Sequence, residues 1–388
     1  MELAEPGTLG FDAERLRRLT WAVERDVDSG LYDGAQIAVG RAGHLVCSEA
    51  IGFADRAQGR PLQRDDITVP FSISKQLTVA VVLSFVERGL LSLFLPVAEV
   101  MPEFGQRGKG AVTLFHLLTH TGGIQSDLAR LPLDQVVRLD AYTAAVCASA
   151  PEAPPGERVI YSKASAHAVM ASMLQVVDPA GRTFERIVAE EVLEPLGMGN
   201  TTLGPPPSGR YVAPVVTRYR RPGMFTEQEF AGSGQLMLSP GSQIPGAGYT
   251  STAEDFYVFA DMLRGGGERN GYRLLSPAMI ELATRNHTGE MPSSLLDYAL
   301  QSRNWLPWPA YHGLGFFLRG TALTPGPLPS LASPRTFGGW GAGTSCFWID
   351  PDRDVCFSLI TIGALEDTDH LPRTQRLGDI VLGALVEA

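Results

Sequence analysis

The chain has 388 residues, of which 44% are apolar and 19% charged, and its formal net charge is −10. This composition is typical of a globular protein with a large core, and the length favours two small domains or one domain with a large insertion. The negative charge argues against nucleic acid as a partner, because phosphate binding requires a basic face. No apolar run is long enough to span a bilayer, so the sequence predicts no membrane association.

The cellular compartment is indicated by the first residues and by the cysteines. Residues 1–6 contain neither the basic region nor the apolar region of a signal peptide. The four cysteines lack CxxC spacing and lie in apolar surroundings, which predicts reduced core residues; they are Cys47, Cys147, Cys346 and Cys356. We therefore expect a cytoplasmic protein.

The first quarter of the chain contains three predicted elements. Asp12 is a suitable N-cap for an amphipathic helix over residues 12–29. Residues 35–52 are rich in Ile and Val and predict a β-hairpin that turns at Ala42-Gly43. Residues 72–90 are apolar almost all round, which predicts a buried central helix.

The remainder of the chain is predicted to be helical in its middle and to return to strands near its end. Ser251 and Glu254 have capping-box spacing and predict a helix start. Strands are predicted at 313–319, 344–349 and 355–362, followed by an amphipathic helix over 373–386. This order predicts an α+β fold, with one antiparallel sheet flanked by helices and interrupted by a helical insertion. The expected division is a discontinuous α/β subdomain over 1–70 and 245–388 and a mostly helical subdomain over 71–244.

Lysine is rare in this chain. Only Lys75, Lys109 and Lys163 are present, against 29 arginines. A lysine can lose its proton inside a protein, whereas an arginine effectively cannot. A site that requires a neutral amine must therefore retain its lysine.

Ser72-Ile73-Ser74-Lys75 is an S-x-x-K motif at the start of the predicted buried helix. Residues three apart share a helix face, so the Lys75 amine can reach the Ser72 hydroxyl and, when neutral, take its proton. A serine at a helix N-terminus also lies where developing negative charge is favoured. The structural alternative is a serine N-cap followed by an exposed lysine.

Two further segments carry candidate site residues. Tyr161 would act as a phenolate base or relay if neighbouring ammonium groups lowered its pKa; alternatively it is a half-buried structural tyrosine. The glycines of the segment 337–343 allow a backbone to approach a ligand, and an N–H there could complete an oxyanion hole with that of Ser72. The structural alternative is a glycine-rich bulge or hairpin.

The order of these motifs resembles the serine β-lactamase and penicillin-binding-protein family, in particular class C β-lactamases. Family VIII esterases, D-aminopeptidases and the lovastatin-type acyltransferase are relatives. Supporting segments extend over most of the chain: Gly52-Phe53-Ala54-Asp55, Leu117-Leu118-Thr119-His120-Thr121-Gly122-Gly123, Pro195-Leu196-Gly197-Met198 and Gly313-Leu314-Gly315-Phe316. The resemblance implies a β-lactamase/transpeptidase-like fold, with Ser72 as acylated nucleophile and Lys75 and Tyr161 as its base system.

This sequence departs from the family pattern at two positions. The family's usual asparagine after the tyrosine is Lys163, and the usual Lys-Thr-Gly or His-x-Gly is, by spacing, Gly339-Trp340-Gly341. In members that recognise β-lactams these positions bind the substrate amide and carboxylate, so their loss argues against a β-lactamase or D,D-peptidase. Esterase-type members often have Trp-Gly-Gly, which Trp340-Gly341-Ala342 resembles. The oxyanion N–H would then come from Ala342 or Gly343, depending on register.

Lys163 has two interpretations. Near Lys75 its charge would favour loss of one proton, so that it tunes Lys75 or Tyr161; it could also bind a substrate oxygen. The alternative is a solvated lysine that merely replaces asparagine.

The resemblance implies a serine hydrolase without cofactor or metal, most simply an esterase on a small-molecule ester. Transfer to an alcohol or amine, or cleavage of an amide, is the second possibility, and a non-catalytic binding protein on the same fold is the third. His116 and His120 are four apart, but Leu117 stands where a zinc protease would have glutamate, so no zinc site is expected. Trp305, Trp308 and Tyr311 are candidate groove-wall aromatics. The sequence does not indicate the oligomeric state.

Overall fold

A computed structural model describes residues 2–126, 131–223, 225–305 and 307–386. Its main sheet has seven strands, all paired antiparallel, in the order β3-β2-β1-β11-β10-β9-β8. Two small two-stranded sheets pair β4 with β5 and β6 with β7. The strands are β1 (Gly34–Arg41), β2 (His44–Asp55), β3 (Arg60–Pro61), β4 (Thr202–Leu203), β5 (Tyr249–Thr250), β6 (Glu268–Arg269), β7 (Tyr272–Arg273), β8 (Phe317–Leu318), β9 (Phe337–Gly341), β10 (Ser345–Asp350) and β11 (Val355–Ile362).

The α-helices flank this sheet and fill the segment between β3 and β8. They are α1 (Ala13–Asp28), α2 (Lys75–Glu87), α3 (Val97–Val100), α4 (Leu114–Leu118), α5 (Leu133–Val136), α6 (Leu139–Ala148), α7 (Ser165–Val177), α8 (Phe184–Val188), α9 (Glu194–Leu196), α10 (Glu227–Met237), α11 (Ala253–Arg264), α12 (Pro277–Ala283), α13 (Ser294–Arg303) and α14 (Asp367–Leu382). Short 3-10 helices occupy Pro6–Leu9, Phe71–Ser74 and Pro102–Gly108, and Ala189–Leu193 is a π-helical turn.

The main sheet is formed by strands from the first and last parts of the chain, as the predicted order of strands and helices implies. β1 pairs with β2 on one side and with β11 on the other, with Gly34 opposite Ile362 and Arg41 opposite Val355. Ala42 and Gly43 join β1 to β2 with φ values of 53° and 85°, the left-handed pair that a two-residue hairpin turn requires. The predicted α+β class and antiparallel sheet are therefore confirmed.

Each sheet face supports one part of the core. The apolar sides of α1 and α14 pack on one face, in a cluster that includes Leu19, Val23, Trp348 and Leu377. The other face meets α11, which leads into the larger cluster around α2 and α7. α2 is buried on nearly all sides, because it passes through the centre of that cluster. The predicted division into two subdomains stays a prediction.

Some predicted boundaries were wrong, among them the start of the last helix, which is Asp367 rather than residue 373. The predicted strand 313–319 is reduced to β8, and α2 begins at Lys75 rather than at Ser72, which lies in the preceding 3-10 turn. The cap of α11 is Thr252, whose side chain accepts from the N–H of Asp255, and not Ser251. The hydroxyl of Ser251 instead forms a hydrogen bond with the hydroxyl of Thr201, at 2.7 Å between the two oxygens.

Candidate active site

Ser72 lies in the 3-10 turn that leads into α2, immediately after a strained residue. Phe71 is a buried aromatic with φ of 52°, a left-handed conformation that non-glycine residues adopt at a cost of about 1–3 kcal/mol. Its ring packs against Phe230 at 4.6 Å between centroids, and the hydroxyl of Ser345 donates to the carbonyl of Pro70 at 2.5 Å. These contacts hold the main chain in the conformation that presents Ser72 to the cavity.

The Lys75 amine is buried and points at Ser72. Its Nζ lies 3.2 Å from Ser72 Oγ and donates to the main-chain carbonyls of Lys163 and Gly246, each at 2.8 Å. The side chain is only 2% exposed. Burial disfavours the charged form and lowers the pKa of Lys75 to about 7. The amine is therefore available in its neutral form near neutral pH.

Tyr161 is hydrogen-bonded to Ser72 through its side chain. The loop that carries it is fixed on both sides: Ser126 Oγ donates to the Tyr161 carbonyl at 2.7 Å, and the N–H of Ser162 donates to His120 Nδ1 at 3.1 Å. Burial raises the pKa of Tyr161, which is opposite to the lowering that a phenolate base requires. The tyrosine is a neutral hydroxyl here, suited to relay a proton.

Lys163 contributes to the site through its main chain as well as its side chain. Its carbonyl is one of the acceptors of Lys75, while its Nζ lies 4.5 Å from the ring centroid of Phe225. The lowering of the Lys75 pKa is caused by burial, and the Lys163 charge is not among its causes. The charge-tuning hypothesis for Lys75 thus finds no support in the electrostatics.

The glycines of β9 lie close to the 3-10 turn that contains Ser72 and to the start of α2. A β-carbon on Gly341 would overlap with Ser345 Oγ and the Pro70 carbonyl and stand 3.2 Å from the Ser72 nitrogen. Gly339 is packed equally closely against Gln76 of α2. Only a residue without a β-carbon lets the strand come this close to the turn that contains Ser72.

The two predicted oxyanion donors, Ala342 and Gly343, lie in the turn from β9 to β10. The N–H of Gly343 is hydrogen-bonded to the carboxylate of Asp367. Ala342 lines the cavity together with Ser72. Of the two alternatives, Ala342 is the one whose position fits an oxyanion donor.

These residues border a mainly apolar cavity of about 180 Å³. On this measure one water molecule needs about 10–15 Å³, so the cavity has room for a small organic group. Of the predicted site residues, Ser72, Tyr161, Lys163, Trp340 and Ala342 line it directly. The apolar wall comes chiefly from Phe71, Phe225, Phe230, Leu236, Met237 and Ile244.

A smaller cavity of about 40 Å³ adjoins the first and shares Trp340 and Leu295 with it. Trp308 and Tyr311, two of the predicted groove-wall aromatics, line this second cavity. Trp305 instead packs against Trp308, with ring centroids 5.8 Å apart. The aromatic segment therefore lies behind Trp340 and does not form the wall beside Ser72.

Three buried histidines behind Tyr161 were not predicted as part of the site. The His120 ring lies 4.8 Å from that of Tyr161, 5.9 Å from that of His167 and 5.6 Å from that of His312. Burial lowers the pKa of each, to about 4 for His312 and well below the ordinary value for the others. They are neutral at pH 7 and thus add no positive charge beside Lys75. The sequence signal was weak, since the three are far apart along the chain.

Within the described ranges, no group of three or more His, Cys, Asp or Glu side chains is arranged to hold a metal ion. The four cysteines are buried and unpaired, as predicted. No helix in the parts of the chain that the structure describes has the length and hydropathy to cross a membrane.

The comparisons with known proteins agree with this geometry. The family model described as Beta-lactamase matches residues 21–381. The Esterase/beta-lactamase LipL of Mycobacterium tuberculosis is 28% identical over 378 residues, which cover 87% of this chain and 80% of that protein.

Solved structures show the same fold. A penicillin-binding protein homologue from Caulobacter crescentus aligns with a TM-score of 0.77 and 26% identity over 97% of this chain and 99% of its own. A family VIII carboxylesterase aligns with a TM-score of 0.79 and 22% identity over 97% and 99%. The chain belongs to the beta-lactamase family and is an enzyme of its serine hydrolase and acyltransferase class.

Proposed function

We propose that this enzyme hydrolyses small apolar esters through an acyl-enzyme on Ser72. The observation that carries the proposal is the hydrogen bonding of Lys75. A neutral amine has two N–H groups and one lone pair, and the carbonyls of Lys163 and Gly246 accept the two N–H groups. The lone pair is then left for the third neighbour, the Ser72 hydroxyl at 3.2 Å.

The reaction follows from this arrangement. Lys75 takes the Ser72 proton while Ser72 Oγ attacks the ester carbonyl carbon. The oxyanion forms between the N–H groups of Ser72 and Ala342. The C–O bond of the ester then breaks, and the departing alcohol oxygen receives the proton from Lys75, relayed by the Tyr161 hydroxyl. Water attacks the acyl-enzyme, gives its proton to Lys75 and releases the acid, and Ser72 regains its proton.

The cavity supports an apolar substrate. Its wall of aromatic and aliphatic side chains favours an acyl or alcohol group without charge over most of its surface. Trp340 and Lys163 occupy the positions at which relatives that recognise β-lactams bind the amide and carboxylate, so a β-lactam is not the proposed substrate. A small alcohol or amine in place of water would turn the same acyl-enzyme into an acyltransferase or amide-forming enzyme.

The location proposed for the enzyme is the cytoplasm. Four buried cysteines without a disulfide fit a reducing compartment.

A labelling experiment tests the proposed function. The parent protein should gain the mass of one fluorophosphonate adduct, mapped to Ser72, and should hydrolyse para-nitrophenyl butyrate. Ser72→Ala should abolish the adduct and lower kcat by about 10³-fold or more. The matched control is Ser74→Ala, which removes a buried hydroxyl two residues away that has no hydrogen-bond partner in the described part of the chain.

Full activity of Ser72→Ala would overturn the assignment of the nucleophile. Complete inertness of the folded parent toward both the probe and the ester panel would instead support a binding protein on the same fold. Loss of activity in Ser74→Ala to the same extent as in Ser72→Ala would point to damage to the turn rather than to loss of a nucleophile.

A further inference from the structure

An acidic side chain, Asp367, lies in the wall of the mainly apolar cavity beside Ser72. Asp367, the first residue of α14, is half-buried and lines the cavity with Ser72, Tyr161 and Ala342. Its carboxylate accepts the N–H of Gly343, in the turn that also positions Ala342. The carboxylate is therefore attached to the same turn as the proposed oxyanion hole.

Charged groups of both signs act on Asp367, namely Glu366, its neighbour in the chain, and Lys163, on the wall of the same cavity. The neighbouring Glu366 is 1% exposed, and its Oε1 has no hydrogen-bond partner in the described part of the chain. Burial, and secondly the charge of Glu366, raise the pKa of Asp367 to about 7, while Lys163 lowers it by a smaller amount. Tyr161 also faces this carboxylate but is neutral.

A cation that enters the cavity would stabilise the ionised carboxylate of Asp367. A charge taken out of water into apolar surroundings is unfavourable unless it is paired and hydrogen-bonded. The ammonium of Lys163 stands over the Phe225 ring, on the wall formed by the segment before α10. A substrate nitrogen in the cavity could approach Asp367 directly and complete the pairing that Gly343 begins.

We propose that Asp367 binds a positively charged nitrogen of the substrate, so that the enzyme prefers apolar esters that also carry an amine or quaternary ammonium group. This rests on the proposed function, because it concerns the substrate of the same Ser72 site. The cation could belong to the acyl part or to the alcohol part, and the two arms of the experiment distinguish these sources.

The experiment compares cationic esters with neutral esters of the same shape. On the acyl side, para-nitrophenyl aminocaproate is compared with para-nitrophenyl heptanoate; on the alcohol side, choline butyrate is compared with neohexyl butyrate. The measured quantity is the ratio of kcat/KM for the cationic ester to that for its neutral partner. In at least one arm this ratio should exceed one in the parent and fall about 10- to 100-fold in Asp367→Asn, because that variant removes the ionic attraction between the carboxylate and the substrate cation in a partly buried site.

The control variant is Asp134→Asn, which removes an equal charge from the surface groove beside the cavity. It should leave the ratio within about twofold, because exposed charges act only weakly at a distance. An unchanged ratio in Asp367→Asn in both arms, or an equal fall in Asp134→Asn, would overturn the proposal.

A second measurement on the parent protein keeps the test decisive if Asp367→Asn does not fold. The carboxyl of Asp367 is protonated below about pH 7, so the ratio should rise between pH 6 and 8 in whichever arm shows the preference, while both the quaternary ammonium and the primary amine keep their charge. Lys75 titrates in the same range, but it affects both esters alike and cancels in the ratio. A ratio that does not change with pH overturns the inference, whereas Ser72-dependent hydrolysis of the neutral esters would still support the proposed function.

Discussion

Lys75 is fitted to act as a base by its burial. Desolvation is the cause of its lowered pKa, and the two carbonyl acceptors fix the direction in which its lone pair can point. Lys109 is just as deeply buried and also donates to main-chain carbonyls, those of Gln106, Cys147 and Ser149, but among the described residues no side-chain hydroxyl accepts from it. The base function proposed for Lys75 therefore depends on the third neighbour of its amine, the Ser72 hydroxyl, and not on burial alone.

The proposed base, Lys75, predicts that the rate of ester hydrolysis depends on pH. The amine must be neutral to accept the Ser72 proton, and its pKa is about 7. For a neutral ester, kcat/KM should therefore fall about tenfold per pH unit below pH 7 and level off above it. Lys75→Arg cannot supply a neutral base and should lower kcat about 10²- to 10⁴-fold at every pH.

Lys109→Arg is the matched control, since it makes the same replacement at the other buried lysine, away from the cavity. It should keep the acid limb of the pH profile at the parent position. An acid limb that remains near pH 7 in a still-active Lys75→Arg variant would show that another group is the base.

Several site residues could be predicted from the sequence, because their chemistry is local. The three-residue spacing of Ser72 and Lys75 implies their contact, which the structure places at 3.2 Å. Asp367 could not be predicted in this way. The role proposed for it depends on its position in a cavity whose other lining residues, such as Ser72 and Tyr161, are distant from it in the sequence.

The N-terminal part of α14 shows why Asp367 was missed. The predicted helix starts at residue 373, directly after Pro372, and a proline lacks the N–H that the interior of a helix requires. The helix begins at Asp367 and passes through Pro372. The carbonyl of Thr368, which Pro372 leaves without its helical donor, accepts instead from Arg303 at 3.1 Å. A contact from a distant helix thus compensates for the proline, and local sequence rules do not contain it.

A hairpin was only the structural alternative for the glycines of segment 337–343, and the register of β9 against β10 was left open. Ser345 lies opposite Gly341, and the N–H of Thr344 donates to the Gly341 carbonyl at 3.2 Å. Gly343 has φ of 62°, which closes this tight turn. In this register Ala342 lines the cavity. The sequence spacing alone left the oxyanion donor open between Ala342 and Gly343.

Gly341→Ala tests the closeness of this hairpin to the nucleophile. The added β-carbon would overlap with Ser345 Oγ and the Pro70 carbonyl, so β9 must move away from Ser72. Displacement of one oxyanion donor should lower kcat about 10²- to 10³-fold. Gly199→Ala is the control, because a β-carbon there meets no atom within 4 Å.

The measurement is the steady-state rate on a neutral ester together with the rate of fluorophosphonate labelling. Both should fall in Gly341→Ala and neither in Gly199→Ala. Parent-like rates in Gly341→Ala would mean that the strand does not support the oxyanion at this position.

At the scale of the whole molecule, the cavity depends on contacts between the sheet and the helical segment inserted between β3 and β8. Ser72 and Tyr161 belong to that segment, whereas Ala342 follows a strand of the sheet. Arg218 also comes from the inserted segment; its side chain donates to Asp33, just before β1, at 2.9 and 2.6 Å. Its main-chain N–H donates to the carbonyl of Ala364, just after β11. Such pairings are set by the final fold, and sequence patterns do not reveal them.

Asp33→Asn tests how strongly this contact holds the two parts together. Asp33 is 3% exposed and receives both Arg218 and Arg56, whose side chains are each 37% exposed. The exposed arginines are screened by water, so we expect a loss of about 1–3 kcal/mol in the free energy of unfolding. Urea denaturation measures this loss, with Asp65→Asn, at an exposed carboxylate, as the control.

The loss in Asp33→Asn should also depend on salt. Because the Asp33 carboxylate is buried, salt screens its pairing less than it screens a surface ion pair, so the loss should shrink only a little at high salt. Equal unfolding free energies for Asp33→Asn and the parent would show that main-chain bonds such as that of Arg218 to Ala364 suffice to hold the inserted segment on the sheet.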